Sequence, residues 1–256
     1  ACRKAPTTPL RSTPRPLSWI ACRLLWSRLL PSDRPTQRPH VRLVLAISLD
    51  GRLAPAEGGA AQLGGDGDRI ALEQALAWAD ACLIGAGTLR AHQCTCLIRN
   101  QTLVDQRLAA GRPAQPAAVV ASRSGNVSSS WRFFQQPLQR WLLAPAPMEW
   151  GFERWFPLAE SWTEQLVGLG SAGIQRLVLL GGAHLAADLL AGDCVDELQL
   201  TVVPRVLGGG NTWLPTTSPG LPYDHSQAEA WRAVGAEPLG SGEWLLRYRR
   251  LRESVE

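Results

Sequence analysis

The segment that decides the fold runs from Arg176 to Gly210 and reads RLVLLGGAHLAADLLAGDCVDELQLTVVPRVLGGG. Its first apolar run stops at Gly181-Gly182, which is typical of a buried strand followed by a tight turn. Apolar residues then recur at helical spacing from Ala183 to Leu190, so a helix is predicted directly after the turn. Free N–H groups and the dipole at a helix start attract anions, and glycine lets a phosphate approach closely. A nucleotide phosphate is the predicted ligand; a plain strand-to-helix turn is the alternative for the glycine pair alone.

The chain from residue 39 onward alternates apolar strands with helical patterns. The predicted strands cover 41–48, 81–84, 117–121, 141–144 and 199–203, the predicted helices cover 68–79 and 158–169, and an antiparallel pair at 231–236 and 244–248 closes the chain. Such alternation gives a mixed, mainly parallel sheet with helices on both faces. The predicted fold class is therefore α/β with a C-terminal antiparallel hairpin.

The charge of the chain is unevenly distributed. The whole chain has a formal net charge of +4. Residues 1–38 hold eight basic side chains and one acidic side chain, Asp33, and therefore carry +7, which leaves −3 for the remainder. A mildly acidic domain gives no electrostatic case for nucleic acid, and no segment is long and apolar enough for a membrane span. We therefore predict an irregular basic extension over 1–38, which is either transit-peptide-like or not native, and one domain over 39–256. The predicted location is cytoplasmic, with organelle import if the extension is a genuine transit peptide.

Missing residue types exclude several enzyme classes. Lys4 is the only lysine, which argues against a Gly-Lys-Ser/Thr phosphate loop, a pyridoxal-phosphate Schiff base and a Tyr-x-x-x-Lys dehydrogenase. The six cysteines form no Cys-x-x-Cys pair, and the His-x-Glu and Pro-Cys-x-x-Cys motifs of zinc deaminases are absent.

Four predicted strand ends carry small or hydroxylated residues. They are Ser48-Leu49-Asp50-Gly51, Gly85-Ala86-Gly87-Thr88, Ser122-Arg123 and Gly181-Gly182. Ligands of open α/β sheets lie beyond the carboxyl ends of the strands, so these segments predict a nucleotide-binding edge. A guanidinium at Arg123 suits a 2′-phosphate and favours NADPH over NADH, whereas an exposed loop arginine is the alternative.

These motifs, and above all the segment quoted first, resemble the reductase domain of the bifunctional deaminase-reductase family of riboflavin biosynthesis. The resemblance extends from about Arg38 to Arg250 and implies a dihydrofolate-reductase-like fold, a homodimer and NADPH-dependent reduction of 5-amino-6-(5-phosphoribosylamino)uracil. Since the deaminase motifs are absent, only the reductase half is expected in this sequence. The implied cofactor contacts are Ala46, Ser48, Gly85, Gly87, Thr88, Ser122, Gly182, Ala183, His184 and Leu185, to which the residue patterns add Gly181 and Arg123.

Asp50 is the only carboxylate within the four strand-end motifs. Reduction of a ring-opened ribosylamine passes through an iminium-like carbon, which a nearby carboxylate could stabilise or supply with a proton. Asp50 is therefore the predicted catalytic residue. A turn formed by Asp50-Gly51 is the alternative.

The substrate side departs from the resembled family. Val44 stands where the family has lysine, Leu180 where it has glutamate, and His92 lies where its Ala-Asp-Asp-Pro motif is expected. Arg99 remains as the predicted phosphate anchor. These departures leave two alternatives open: an NADPH-dependent reductase of another small substrate, or a non-catalytic dinucleotide-binding relative. No metal site is predicted, because His92-x-Cys94-x-Cys96 would share one face only on a strand and has no evident fourth ligand.

Overall fold

The computed structural model of the chain describes residues 37–59, 62–148, 150–218 and 220–252. Most of the predicted basic extension, residues 1–36, lies outside the described residues. The described chain starts two residues before the predicted boundary, and Arg38 already contacts the domain. Its guanidinium donates to both carboxylate oxygens of Asp196 at 2.6 and 2.9 Å.

Within the described residues, nine strands and five α-helices make up the domain. The strands are β1 (His40–Ser48), β2 (Ala81–Gly85), β3 (Ala117–Ala121), β4 (Arg140–Leu143), β5 (Arg154–Phe156), β6 (Arg176–Leu179), β7 (Glu197–Val203), β8 (Trp231–Gly240) and β9 (Glu243–Arg250). The helices are α1 (Asp66–Trp78), α2 (Ala86–His92), α3 (Gln101–Ala109), α4 (Trp162–Ser171) and α5 (Ala183–Ala191). Two short 3₁₀ helices cover Arg132–Gln135 and Tyr223–Ser226.

All nine strands form one sheet in the order β5-β4-β3-β2-β6-β1-β7-β9-β8. Every pairing from β5 to β7 is parallel, and β7–β9 and β9–β8 are antiparallel. The predicted fold class, a mixed and mainly parallel sheet with a C-terminal antiparallel hairpin, is confirmed. The carboxyl ends of β1, β2 and β6 meet at the centre of one edge, which is where the four motifs were expected to converge.

Helices cover both faces of this sheet. On one face, Leu166 and Leu169 of α4 and Leu189 of α5 pack with strand residues such as Leu43 and Leu83. On the other face, helices α1, α2 and α3 cover buried strand residues such as Val44, Cys82, Ile84, Val120 and Leu142. None of the helices in the described ranges has both the length and the apolar character of a membrane span.

One helix begins later than predicted, because a capping side chain fixes its first residue. The helix predicted over 158–169 begins only at Trp162, because the Ser161 side chain accepts a hydrogen bond from the Glu164 amide at 3.2 Å and caps it. Helices α2 and α3 were not predicted. The sequence of α3, capped by Asn100, carries too few apolar residues at helical spacing to be recognised.

Candidate cofactor and substrate site

A cavity of about 1260 Å³ opens at the carboxyl ends of β1, β2 and β6. Seven of the predicted site residues line it, namely Ala46, Gly87, Thr88, Arg99, Gly182, Ala183 and His184. The three departures from the resembled family, Val44, His92 and Leu180, line the same cavity. The structure therefore brings residues from distant parts of the sequence to one place.

The turn between β6 and α5 forms one wall of the cavity. Gly181 adopts a φ of +80°, its carbonyl accepts a hydrogen bond from the Gly85 amide at 3.2 Å, and the Gly181–Gly182 peptide is cis. A Cβ added at Gly182 would lie 2.6 Å from the hydroxyl oxygen of Thr88, so any larger residue requires the Thr88 side chain to move. No side chain caps the N-terminus of α5. Its first amide N–H groups, which have no intrahelical partners, therefore remain available to a ligand.

Two other predicted cofactor contacts, Leu185 and Gly85, pack against this turn on the side away from the cavity. Leu185 is buried in the core shared by α4 and α5. A Cβ added at Gly85 would come within 3.7 Å of the Leu185 side chain. Neither residue lines the cavity, so their contribution is to hold the β6–α5 turn against β2.

The two residues of the predicted pair Ser122-Arg123 have different environments. Ser122 is buried, and its hydroxyl accepts a hydrogen bond from the Gly125 amide at 3.0 Å, which shapes the loop after β3. Arg123 is exposed and lines a second, smaller cavity of about 320 Å³ beside the ends of β3 and β4. The two cavities open at the same edge of the sheet.

Asp50 joins two loops. Its carboxylate accepts hydrogen bonds from the Ser48 hydroxyl at 2.5 Å and from the amides of Leu207 and Gly208 at 3.1 and 2.7 Å. The bond from Ser48, followed by that from Leu207, lowers the pKa of Asp50 to about 2. Asp50 lines neither cavity. This geometry supports the turn alternative rather than proton transfer, because a carboxylate with so low a pKa stays ionised at neutral pH.

The Asp50 contacts predict a pH-dependent stability difference. The pKa of the folded state lies below the ordinary value of 3.8, so the carboxylate stabilises the fold above that pH and ceases to do so as the pH falls towards 2. Asp50→Asn removes this titration. We expect the variant to be less stable than the wild type at neutral pH, with the gap closing between roughly pH 4 and pH 2. Urea unfolding across this range measures it, and a gap independent of pH would contradict the assignment.

Arg99 belongs to an irregular segment, residues 93–100, that side chains from elsewhere hold in place. The buried carboxylate of Glu73 accepts hydrogen bonds from the amides of Arg99 and Asn100 at 2.9 and 2.8 Å. Gln115 holds the amide and carbonyl of Ile98, and Gln136 does the same for Thr95. Arg99 therefore lines the cavity from a fixed backbone.

The metal alternative required a strand at His92–Cys96, and the structure has none there. His92 ends α2, and Gln93 adopts a left-handed φ of 55° as the C-cap. Since the segment beyond it is irregular, the three side chains do not share a strand face.

Sequence reasoning missed several residues of the cavity. Arg132 lines the cavity from the 3₁₀ helix, as Arg69 does from α1 and Arg99 from the irregular segment. Glu73 and Asp68 line it from α1. The only sequence signal for Glu73 and Asp68 was that they are acidic residues on the apolar side of a predicted helix. No sequence signal pointed to Arg132.

Residues 39–242 match the profile described as the RibD C-terminal domain. The chain belongs to this family. RibD of Haemophilus influenzae is 27% identical over 179 residues, which are 66% of this chain and 48% of that protein. A protein of Archaeoglobus fulgidus, named 2,5-diamino-6-ribosylamino-4(3H)-pyrimidinone 5′-phosphate reductase, is 24% identical over 80% of this chain and 95% of its own length. The chain thus spans about half the length of the RibD proteins that it matches, and most of the archaeal reductase.

Solved structures share the fold of the RibD C-terminal domain described above. Acinetobacter baumannii RibD aligns with a TM-score of 0.69 at 23% identity, covering 84% of this chain and 59% of that one. A pyrimidine reductase-like protein from Corynebacterium diphtheriae aligns with a TM-score of 0.68 at 19% identity, covering 84% and 93%. The family and fold implied by the sequence resemblance are therefore confirmed.

Proposed function

We propose that this chain is an NADPH-dependent reductase of a phosphorylated ribosylamino-pyrimidine, resembling 5-amino-6-(5-phosphoribosylamino)uracil reductase of riboflavin biosynthesis. The observation that carries the proposal is the large cavity between the uncapped start of α5 and the cations Arg99 and Arg132. Family membership supports the reductase class. The reductase name of the archaeal relative supports the pyrimidine as the substrate.

The residues at the sheet edge have the chemistry that a phosphorylated dinucleotide requires. The α5 amides after Gly182 would hold the pyrophosphate, since a helix start favours negative charge. Arg123 in the adjoining cavity would pair with the 2′-phosphate. Ala46 on β1 and Thr88 on α2 line the cavity, and these two small side chains would leave room for the nicotinamide ring. When bound, NADPH supplies a hydride.

The substrate would be held by charge at one end and by apolar contact beneath it. Arg99, whose backbone is fixed by Glu73, and Arg132 are the cations available to a substrate phosphate. Bidentate arginine–phosphate pairs give orientation as well as attraction. Both residues lie on the side of the cavity formed by residues 93–100 and 132–137.

The proposal is tested by NADPH oxidation in the presence of the riboflavin-pathway pyrimidine. We expect turnover that is measurable but slow, because anchors lost from the pocket lower the rate as well as the affinity. Arg99→Ala should lower it further, and Arg90→Ala, an arginine that donates to the Asn126 carbonyl at 3.2 Å, is a control. Turnover at ordinary enzyme rates would show that the departures are harmless, whereas none at all would contradict this substrate.

One observation favours a second candidate, a reductase of a different small substrate. Val44 and Leu180 pack in one apolar cluster with Leu72 and Val178, and they line the cavity together. At the two positions where the resembled family has a charged pair, this pocket has the apolar side chains of Val44 and Leu180, which we call the apolar floor. Such a floor fits a substrate with an apolar ring better than one whose hydroxyl groups need charged partners. NADPH binding without pyrimidine turnover would favour this candidate. The homodimer stays a prediction.

A further inference from the structure

Asp68 lines the same cavity as the β6–α5 turn. It belongs to the first turn of α1, and its carboxylate folds back over Gly64, so closely that a Cβ at position 64 would overlap it. The hydroxyl of Thr201 on β7 lies close enough to act as a donor on the pKa of this carboxylate. Asp68 therefore has neighbours from two distant parts of the chain.

Thr201 also links Asp68 to a predicted cofactor contact. Thr201 is the register partner of Ala46 on the adjacent strand β1. Neighbouring strands lie about 4.8 Å apart, and paired residues direct their side chains to the same face. Asp68 and Ala46 line the same cavity. The carboxyl group therefore shares the cavity with the position proposed to contact the dinucleotide.

Among the described residues, Asp68 forms no ion pair, and the adjacent Arg69 pairs with Asp66 and Glu73 instead. The groups that act on its pKa are the Thr201 hydroxyl and the carboxylate of Glu243 on β9, and Asp68 in turn acts on the pKa of the Cys96 thiol. Glu243 is itself 5% exposed and accepts a hydrogen bond from the Gly65 amide at 2.7 Å. Burial, reinforced by the charge of Glu243, raises the pKa of Asp68 above its ordinary value. Both effects favour the protonated acid.

The other carboxylates around the cavity are already committed to other contacts. Glu73 accepts hydrogen bonds from two backbone amides, and Asp66 is almost fully exposed and pairs with Arg69. Asp50 binds the loop after β7 and stays ionised. Asp68 is thus the carboxyl group best suited to hold a transferable proton.

We propose that Asp68, rather than Asp50, donates the proton to the substrate nitrogen when the adjoining C=N carbon is reduced. The inference rests on the proposed function, which supplies the reductant. In this step the O–H bond of Asp68 breaks and an N–H bond forms on the substrate. The carbon receives the hydride and both its electrons from NADPH, which leaves as NADP⁺. A proton from bulk solvent, relayed by water that enters the open cavity, then restores the Asp68 acid, so that the net reaction consumes one NADPH and one solvent proton.

The test is single-turnover hydride transfer by the full chain, loaded with NADPH and mixed with the riboflavin-pathway pyrimidine. Asp68→Asn keeps an acceptor for Thr201 but has no acidic proton, so the rate should fall about 100-fold with NADPH affinity unchanged. The matched control is Asp66→Asn, in the same helical turn but exposed, which should react like the wild type. Gly64→Ala, which displaces the intact Asp68 carboxylate, should also be slow.

A second readout does not depend on turnover. The infrared C=O band of a protonated carboxyl group should titrate nearer to neutral pH than an ordinary aspartate, and should disappear in Asp68→Asn but not in Asp66→Asn. If the wild type transfers hydride and Asp68→Asn is equally fast, Asp68 is not the donor and the reductase proposal stands. If the wild type binds NADPH but transfers no hydride, both proposals fail for this substrate.

Discussion

Replacing Gly182 by valine is expected to abolish NADPH binding while leaving the sheet intact. The added Cβ would lie 2.6 Å from the Thr88 hydroxyl oxygen, and the branched side chain would cover the N–H groups at the start of α5. We expect an affinity loss of at least 100-fold, about 2.7 kcal/mol. Isothermal titration calorimetry measures the affinity, and far-UV circular dichroism monitors the fold.

The matched control for this substitution is Gly168→Val. Gly168 lies in α4, and a Cβ added there meets no other atom within 4 Å. The control should bind NADPH with wild-type affinity. If Gly182→Val did the same while folded, the β6–α5 turn would not be the phosphate site, and the plain-turn alternative for the glycine pair would hold.

The double substitution Val44→Lys with Leu180→Glu is expected to raise turnover of the phosphorylated pyrimidine at least tenfold. The two side chains share one apolar cluster in the cavity wall, so the new charges can pair with each other and with substrate hydroxyl groups. Each single variant should be worse than the wild type. A lone buried charge costs about 3–5 kcal/mol of stability.

A double-mutant cycle with urea unfolding and kcat/KM measures both effects. A stability coupling of about 1 kcal/mol or more between positions 44 and 180 is expected, since side chains in contact rarely act independently. Val44→Ile with Leu180→Met, which keeps the floor apolar, is the control and should leave turnover unchanged. A double variant that folds, binds NADPH and turns over no faster would show that the charged pair is not what this pocket lacks.

The sequence predicted the parts of the fold that local patterns determine. Buried parallel strands are continuous apolar runs, so Val41–Ser48 and Ala117–Ala121 were located almost to the residue. The convergence of the strand ends followed from the parallel sheet. The strand ends after β1, β2 and β6 contribute Ala46, Thr88 and Gly182 to one cavity.

What the sequence could not predict depends on contacts between distant segments. Asp50 was singled out because it is the one acid in the motifs, but its hydrogen bonds from the amides of residues 207 and 208 depend on a segment far along the chain. A catalytic role for Asp50 stays a prediction. Asp68 was not recognised as a site residue, because its neighbour Thr201 lies far along the chain on β7. Val44 and Leu180 were recognised as separate departures, but only the packing of β1 beside β6 joins them into one floor.

The central claim, that this member of the RibD C-terminal domain family binds NADPH at its sheet edge, is tested most directly by titrating the full chain with NADPH and NADH. NADPH should bind at least tenfold more tightly, about 1.4 kcal/mol, because Arg123 is free to pair with the 2′-phosphate. Arg123→Ala should remove most of that preference and leave NADH affinity unchanged. Equal affinity for the two nucleotides in the wild type, or no binding of either, would contradict the account.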